Sequence, residues 1–159
     1  MGEGGVERGS VLMLVPAAVL VLVVLGAIAV DFSVAFLGQR ELTSAAAAAA
    51  NDAATAISKE TFYRGRGDVP AGTVVLDAHQ ARRAAELALQ ARAPRGVEVT
   101  EETVDASGDQ VCVSLSGRVD YVFARALPGM GDGTTVHGRA TATAVTGPAG
   151  SPVRPRPAC

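Results

Sequence analysis

Twenty consecutive residues, Val11 to Val30, carry no charge, and their most polar break is Pro16. At about 1.5 Å per residue, a helix of that length reaches roughly 30 Å, the hydrocarbon thickness of a bilayer. A helix destined for a soluble core normally keeps one polar face, and this segment has none. The run therefore predicts a single transmembrane helix over 11–30. Pro16 removes one backbone donor and is expected to kink it.

The flanks orient this helix. Arg8 lies just before the run, whereas Arg40 is the first basic residue after it, ten positions on. Lys and Arg close to the membrane favour the cytoplasmic side. Residues 1–10 are thus expected to form a cytoplasmic leader, and the longer C-terminal part an extracytoplasmic domain.

Composition bounds that domain. With 159 residues there is room for one domain, and with aromatics at 4% and no Trp its core must be built from Val, Ala and Leu. Such side chains bury less area than rings, which predicts a modest domain and argues against a large enzyme. The net charge of −2 and the lack of a long basic run exclude a nucleic-acid footprint. Without a C-x-x-C or a Cys/His cluster there is no structural zinc motif, and no cofactor is expected. Cys112 and Cys159 lie far apart. An extracytoplasmic domain permits a disulfide, but spacing leaves their pairing open.

Beyond the apolar run, residues 31–62 are expected to continue as a helical extension. From Asp31 to Glu60 there is no Pro, and Gly38 is the sole glycine. Glu41, Ser44, Asn51, Asp52, Thr55, Ser58 and Lys59 recur with helical period, and Leu42, Ala46, Ala49, Ala53 and Ile57 line the opposite face. This stripe of small side chains suits close helix packing. Alanine also serves simply as a helix former, and the pattern alone does not separate the two.

The glycines and proline of 65–72 break the helix. An extracytoplasmic α+β domain is expected over 73–146. Its second helix should cover Asp77 to Arg92, with Asp77 as N-cap and Ala-Pro-Arg-Gly at 93–96 as its end. From Val97 the period becomes two. Val97, Val99 and Thr103 would share one face of a first strand, with Glu101 an awkward inward charge, and 105–109 would form a hairpin loop. In the next strand Val111, Val113, Leu115, Val119, Tyr121 and Phe123 share one parity, opposite Cys112, Ser114, Ser116, Arg118 and Asp120, the mark of a half-buried strand. Gly117 falls on the apolar parity, as at a bulge or a close backbone approach. Thr134 to Val145 reads as a third strand, with Val136, Ala140, Ala142 and Ala144 inward. Placing both apolar parities on one core suggests a register that pairs Asp120 with Arg139 and predicts a cross-strand ion pair between them on the wet face. The four prolines of 147–159 predict a disordered tail.

Glu7-Arg8-Gly9-Ser10, the apolar stretch with Pro16, Ala29-Val30-Asp31, Gln39-Arg40-Glu41-Leu42 and the Ala-rich run through Ala56 together resemble the TadE/TadG-like family of Flp (Tad) pilus assembly proteins. The resemblance covers about residues 7–60. It implies a pilin-like plan: a long N-terminal transmembrane helix with an amphipathic extension, a short second helix and a three-stranded antiparallel sheet. It further implies a TadE-like minor pilin (pseudopilin) or a membrane-anchored assembly component, non-enzymatic, with other pilin-like subunits, the Tad secretion machinery and membrane lipid as partners. Prepilin peptidase would cut between Gly9 and Ser10. One departure is visible: family members commonly carry Glu at the fifth mature position, which here is Leu14 and cannot pair with a neighbour's new amino group. An uncleaved assembly factor is the other form of the same expectation.

Other motifs carry less. The alternative expectation is a secreted or membrane-anchored extracytoplasmic binding domain unrelated to pili: Ala27-Ile28-Ala29 fits the small-residue pattern of signal peptidase, which would release it, although the apolar run exceeds the usual signal core and the leader is poorly basic. His79 and His137 are expected on wet surfaces, and neither belongs to a nucleophile motif. Gly129-Met-Gly-Asp-Gly133 opens no helix, so it lacks the means to cradle phosphate. Arg66-Gly67-Asp68 is read as a chance tripeptide.

Overall fold

A computed structural model describes residues 8–65, 74–126, 129 and 131–144, with the side chains of 8–13 and of Thr61 outside that description. The leader before Arg8, the Arg-Gly-Asp tripeptide and the Pro-rich tail therefore lie outside the described residues.

Helix α1 runs from Arg8 to Ala53, 46 residues that pass through Pro16 without a break. Short helix α2 spans Lys59–Arg64 and α3 spans Ala78–Ala91. Three strands follow: β1 (Glu98–Ser107), β2 (Gln110–Asp120) and β3 (Gly133–Thr143), with a 3₁₀ turn at Ala124–Ala126 between the last two. They form one antiparallel sheet in the order β1-β2-β3. The C-terminal half of α1 lies across β2 and β3, and α3 packs beside it against β1. The result is a two-layer α+β domain, helices on one face of the sheet and solvent on the other.

The two halves of α1 have opposite surroundings. Leu14 to Val30 stand almost bare, with Leu14, Leu20 and Leu22 each at least 66% exposed. From Asp31 onward one face is sealed: Leu42, Ala46, Ala49 and Ala53 are all 0% exposed, with Ala45 and Ala50 beside them. Their helical spacing presents a strip of methyl groups to Val111, Val113, Leu115 and Val119 of the central strand and to Ala81, Ala85 and Leu89 of α3. Alanine suits this place because it lets a helix axis approach both a sheet and another helix. Leu42, with Leu115 the bulkiest of the fully buried residues, points at the sheet where the sheet has glycines. A Cβ built on Gly117 would stand 3.4 Å from Leu42 Cδ1, and one built on Gly138 would stand 2.5 Å from the Leu42 carbonyl carbon. Gly117 is thus a close-approach position and not a bulge.

Helix α3 begins where its cap predicts. The Asp77 carboxylate accepts from the backbone N–H of His79 and Gln80 at 3.0 and 3.1 Å, satisfying two donors of the first turn.

Several expectations need correction. The helical extension ends at Ala53 instead of running to residue 62. Ala56 and Ser58 exchange backbone hydrogen bonds with Asp77 and Val75, and Ile57 forms a bridge with Leu76. This non-local pairing outweighs the local helix propensity.

The first hairpin is tighter and longer than the loop at 105–109. Ser107 pairs with Gln110 around Gly108-Asp109, and Gly108 takes the positive φ (62°) such a turn requires.

In β1, the register shifts between Val99 and Glu101, so parity inverts. Val104 then points inward, opposite Val113, whereas Thr103 and Glu101 are exposed.

Between β2 and β3 the faces of the paired residues are as expected but the register is not, and β2 ends at Asp120, so Phe123, expected inward, stands 48% exposed in the connection. Arg139 pairs with Ser114, and Asp120 pairs with Gly133. The Asp120–Arg139 ion pair does not form. Asp120 instead lies 3.7 Å from Arg118, and Arg139 Nε donates to Ser114 Oγ at 3.1 Å. A slip of six residues preserves the in/out assignment of each paired residue, so alternation could not have detected it.

Cys112 sits on the wet parity of β2, yet it is only 9% exposed and is engaged in a disulfide. Cys159 lies outside the described residues.

Candidate functional site

The feature that sets this chain apart from an ordinary small α+β domain is the junction between the bare and the sealed halves of α1. Asp31 is the first residue past the apolar run, and it is 7% exposed, the one buried charged residue among those described. Its carboxylate accepts three backbone hydrogen bonds from a remote segment. Oδ1 takes the N–H of Val122 at 2.7 Å and of Phe123 at 3.0 Å, and Oδ2 takes that of Ala124 at 2.8 Å. Three successive N–H groups converging on one point form a cationic nest, and a carboxylate is the natural occupant. Charge-assisted bonds of this kind are about twice as strong as neutral ones. Asp31 therefore ties the β2–β3 connection to the helix at the level where the apolar sleeve ends. Among the described residues, no buried side-chain polar atom lacks a partner.

The signal for this contact was present in the sequence. A carboxylate that directly follows twenty apolar residues, with Ala27, Ile28, Val34 and Ala35 at its i±3 and i±4 positions, has no helical partner and must find one elsewhere. Which backbone it would find was not legible, because the acceptor's donors carry no side-chain signature.

The residues singled out for helix packing are brought together, but inside the protomer. Leu42, Ala46, Ala49 and Ala53 face the sheet and α3 of the same chain, and Ile57 is half-buried in its bridge with Leu76. That strip offers no free surface to another subunit. What α1 does leave exposed is its apolar stretch from Leu14 to Val30, together with Phe32, Phe36 and Leu37 just beyond it at 73%, 67% and 56%. Gly9 and Ser10 lie in the first turn of α1.

The remaining candidates carry no visible chemistry. His79 and His137 are exposed, the first 3.3 Å from Arg83 Nη2 and the second 3.0 Å from Ser116 Oγ. Gly129 and Gly131 belong to the β2–β3 connection and open no helix. Among the described residues, no group of three His, Cys, Asp or Glu side chains is placed to hold a metal ion. An open depression between α1 and the end of α3 is lined by Glu41, Ser44, Arg92 and Arg95. Another, beside β1, brings Glu86 and Glu102 together with Arg82. There, burial and the nearby Glu86 charge hold the Glu102 carboxyl above its ordinary range.

Comparison with protein-family models, with curated proteins and with solved structures finds no match for this chain. The fold and the junction define the class by themselves: a small α+β domain carried on one N-terminal helix that is long and apolar enough to cross a membrane.

Proposed function

We propose that this chain is a TadE-like minor pilin, or a membrane-anchored assembly component of a Flp/Tad-type pilus, inserted with its N-terminus inside and its domain outside. The observation that carries the reading is the division of labour within α1. One continuous helix is both the spine of the folded domain and, over its first half, a bare apolar rod. A pilin-like subunit needs this plan, since the rod anchors the precursor in lipid and can pass to contacts with neighbouring rods without disturbing the domain. The sequence resemblance over residues 7–60 agrees with it.

The burial of the alanine strip moves the subunit contact in this reading. Contacts with other pilin-like subunits fall to the exposed half of α1, at positions such as Val19 and Leu22, and not to Leu42 or Ala49. Mass spectrometry of the chain from its native membrane tests the processing step, with a new N-terminus at Ser10 expected for a processed pilin. Cysteine substitutions at Val19 and Leu22 are expected to crosslink to neighbouring pilin-like subunits in cells. Crosslinks at neither position, with the chain running as a monomer, would overturn the assembly role.

A further inference from the structure

We propose that the β2–β3 connection is a second membrane contact, with Val122 and Phe123 seated in the lipid interface beside the exit of α1. The geometry supplies the height. Asp31 immediately follows the apolar run, and its carboxylate is bonded to the N–H groups of residues 122–124. The connection is therefore held within about one helical turn, roughly 5 Å, of the point where the apolar sleeve ends. A bilayer that covers Leu14 to Val30 presents its headgroup boundary there.

The side chains at that height suit the boundary. Val122 and Phe123 are 46% and 48% exposed although both are large and apolar. On the helix, Phe32 and Phe36 stand still more exposed at successive turns. Arg125, one residue past the clamped N–H groups, is exposed as well, and a basic side chain at this depth can reach lipid phosphate. Aromatic and basic residues are the usual anchors of a membrane–water interface. The occupant is lipid because the patch is continuous with the apolar sleeve. A contact on two sides of Asp31 would fix the tilt of the domain on the membrane, which a single helix leaves free.

The proposal rests on α1 being inserted in a bilayer, so the test carries its own control for insertion. The chain contains no Trp, and each Trp substitution becomes a unique reporter. Full-length Phe123→Trp and, separately, Val122→Trp are reconstituted into phosphatidylcholine vesicles containing lipids brominated near the headgroup or near the chain end. Leu25→Trp reports on the helix. Ser107→Trp reports on the far end of the domain, about 30 Å away along β2 at roughly 3.3 Å per residue. For the Phe123→Trp chain, the expected result is strong quenching of the indole emission by the shallow bromines and weak quenching by the deep ones. Quenching is also expected for Leu25→Trp, and none for Ser107→Trp. Quenching at 25 with none at 122 or 123 would overturn the loop contact while leaving the helix inserted. Loss of quenching at 25 as well would overturn both. Emission at 123 that ignores bromine but shifts with protein-to-lipid ratio would assign the patch to a second copy of the chain and overturn the lipid contact.

Discussion

Gly138 of β3 lies so close under Leu42 of α1 that a Cβ at position 138 would meet the Leu42 carbonyl carbon at 2.5 Å and the Thr43 nitrogen at 2.6 Å. The obstacle is helix backbone, which has no rotamer to yield. Gly138→Ala is therefore expected to push α1 off the sheet and cost about 1–3 kcal/mol or more, the usual range for overpacking. Gly117→Ala meets mainly the Val97 side chain, at 2.5 Å. Val97→Ala should recover part of the loss at Gly117 and none at Gly138. Thermal melts of both glycine variants, each with and without Val97→Ala, check this in detergent micelles by circular dichroism; equal rescue at both glycines would contradict the backbone assignment.

Leu42 fills the space that these glycines open. It is fully buried, so Leu42→Ala should destabilise the domain by about 2–5 kcal/mol, whereas Leu42→Met should cost less than about 1.5 kcal/mol. Denaturant midpoints measure both. A neutral Leu42→Ala would mean that α1 does not rest on the sheet.

Asp31→Asn removes one of two acceptor oxygens and turns an amide toward the N–H cluster. The expected cost is about 1–3 kcal/mol for donors left unpaired, localised at the β2–β3 connection. Amide hydrogen exchange should accelerate at Val122, Phe123 and Ala124 while Val113, at the centre of the sheet, keeps its protection. Uniform acceleration across both sites would instead indicate that the whole domain depends on the contact.

Glu102 gives the pH signature. Burial, and then the Glu86 charge, raise its folded pKa above the usual glutamate value. Between the unfolded and the folded pKa, the native state binds more protons, so stability falls as pH rises through that window and stays lower above it. Glu102→Gln should remove this slope and stabilise the domain at neutral pH. The side chain is exposed, so solvent screening limits the gain to about a few tenths of a kcal/mol. Urea titrations at acid and neutral pH compare the two chains; an unchanged slope would place the effect elsewhere.

Much of the fold was legible from periodicity. The long apolar helix, the Asp77-capped helix, the inward face of β3 and that of β2 as far as Val119 all appear where 3.6- and 2-residue patterns place them. The misreadings share one cause, a dependence on contacts that local spacing does not record. Val104 was hidden by an irregularity at residue 100 that inverts the alternation in β1. The end of α1 at Ala53 depends on Ala56–Ser58 pairing with Val75–Asp77, a segment remote in sequence. The alanine strip was visible as a packing surface, but its partner was not, because a stripe of methyl groups fits an internal sheet and a foreign helix equally well.

By itself, the sequence determined that this chain carries one bare apolar helix followed by a half-wet antiparallel sheet, since both follow from the local spacing of polar and apolar side chains. Only the tertiary structure decided what holds them together. The β2–β3 register depends on glycines seated under Leu42 and on a connection clamped by Asp31. Alternation is indifferent to a slip by any even number of residues, whereas close packing and hydrogen-bond geometry are not. Asp31 itself reads as an ordinary polar end to an apolar run until the fold brings three backbone N–H groups from some ninety residues away onto its carboxylate.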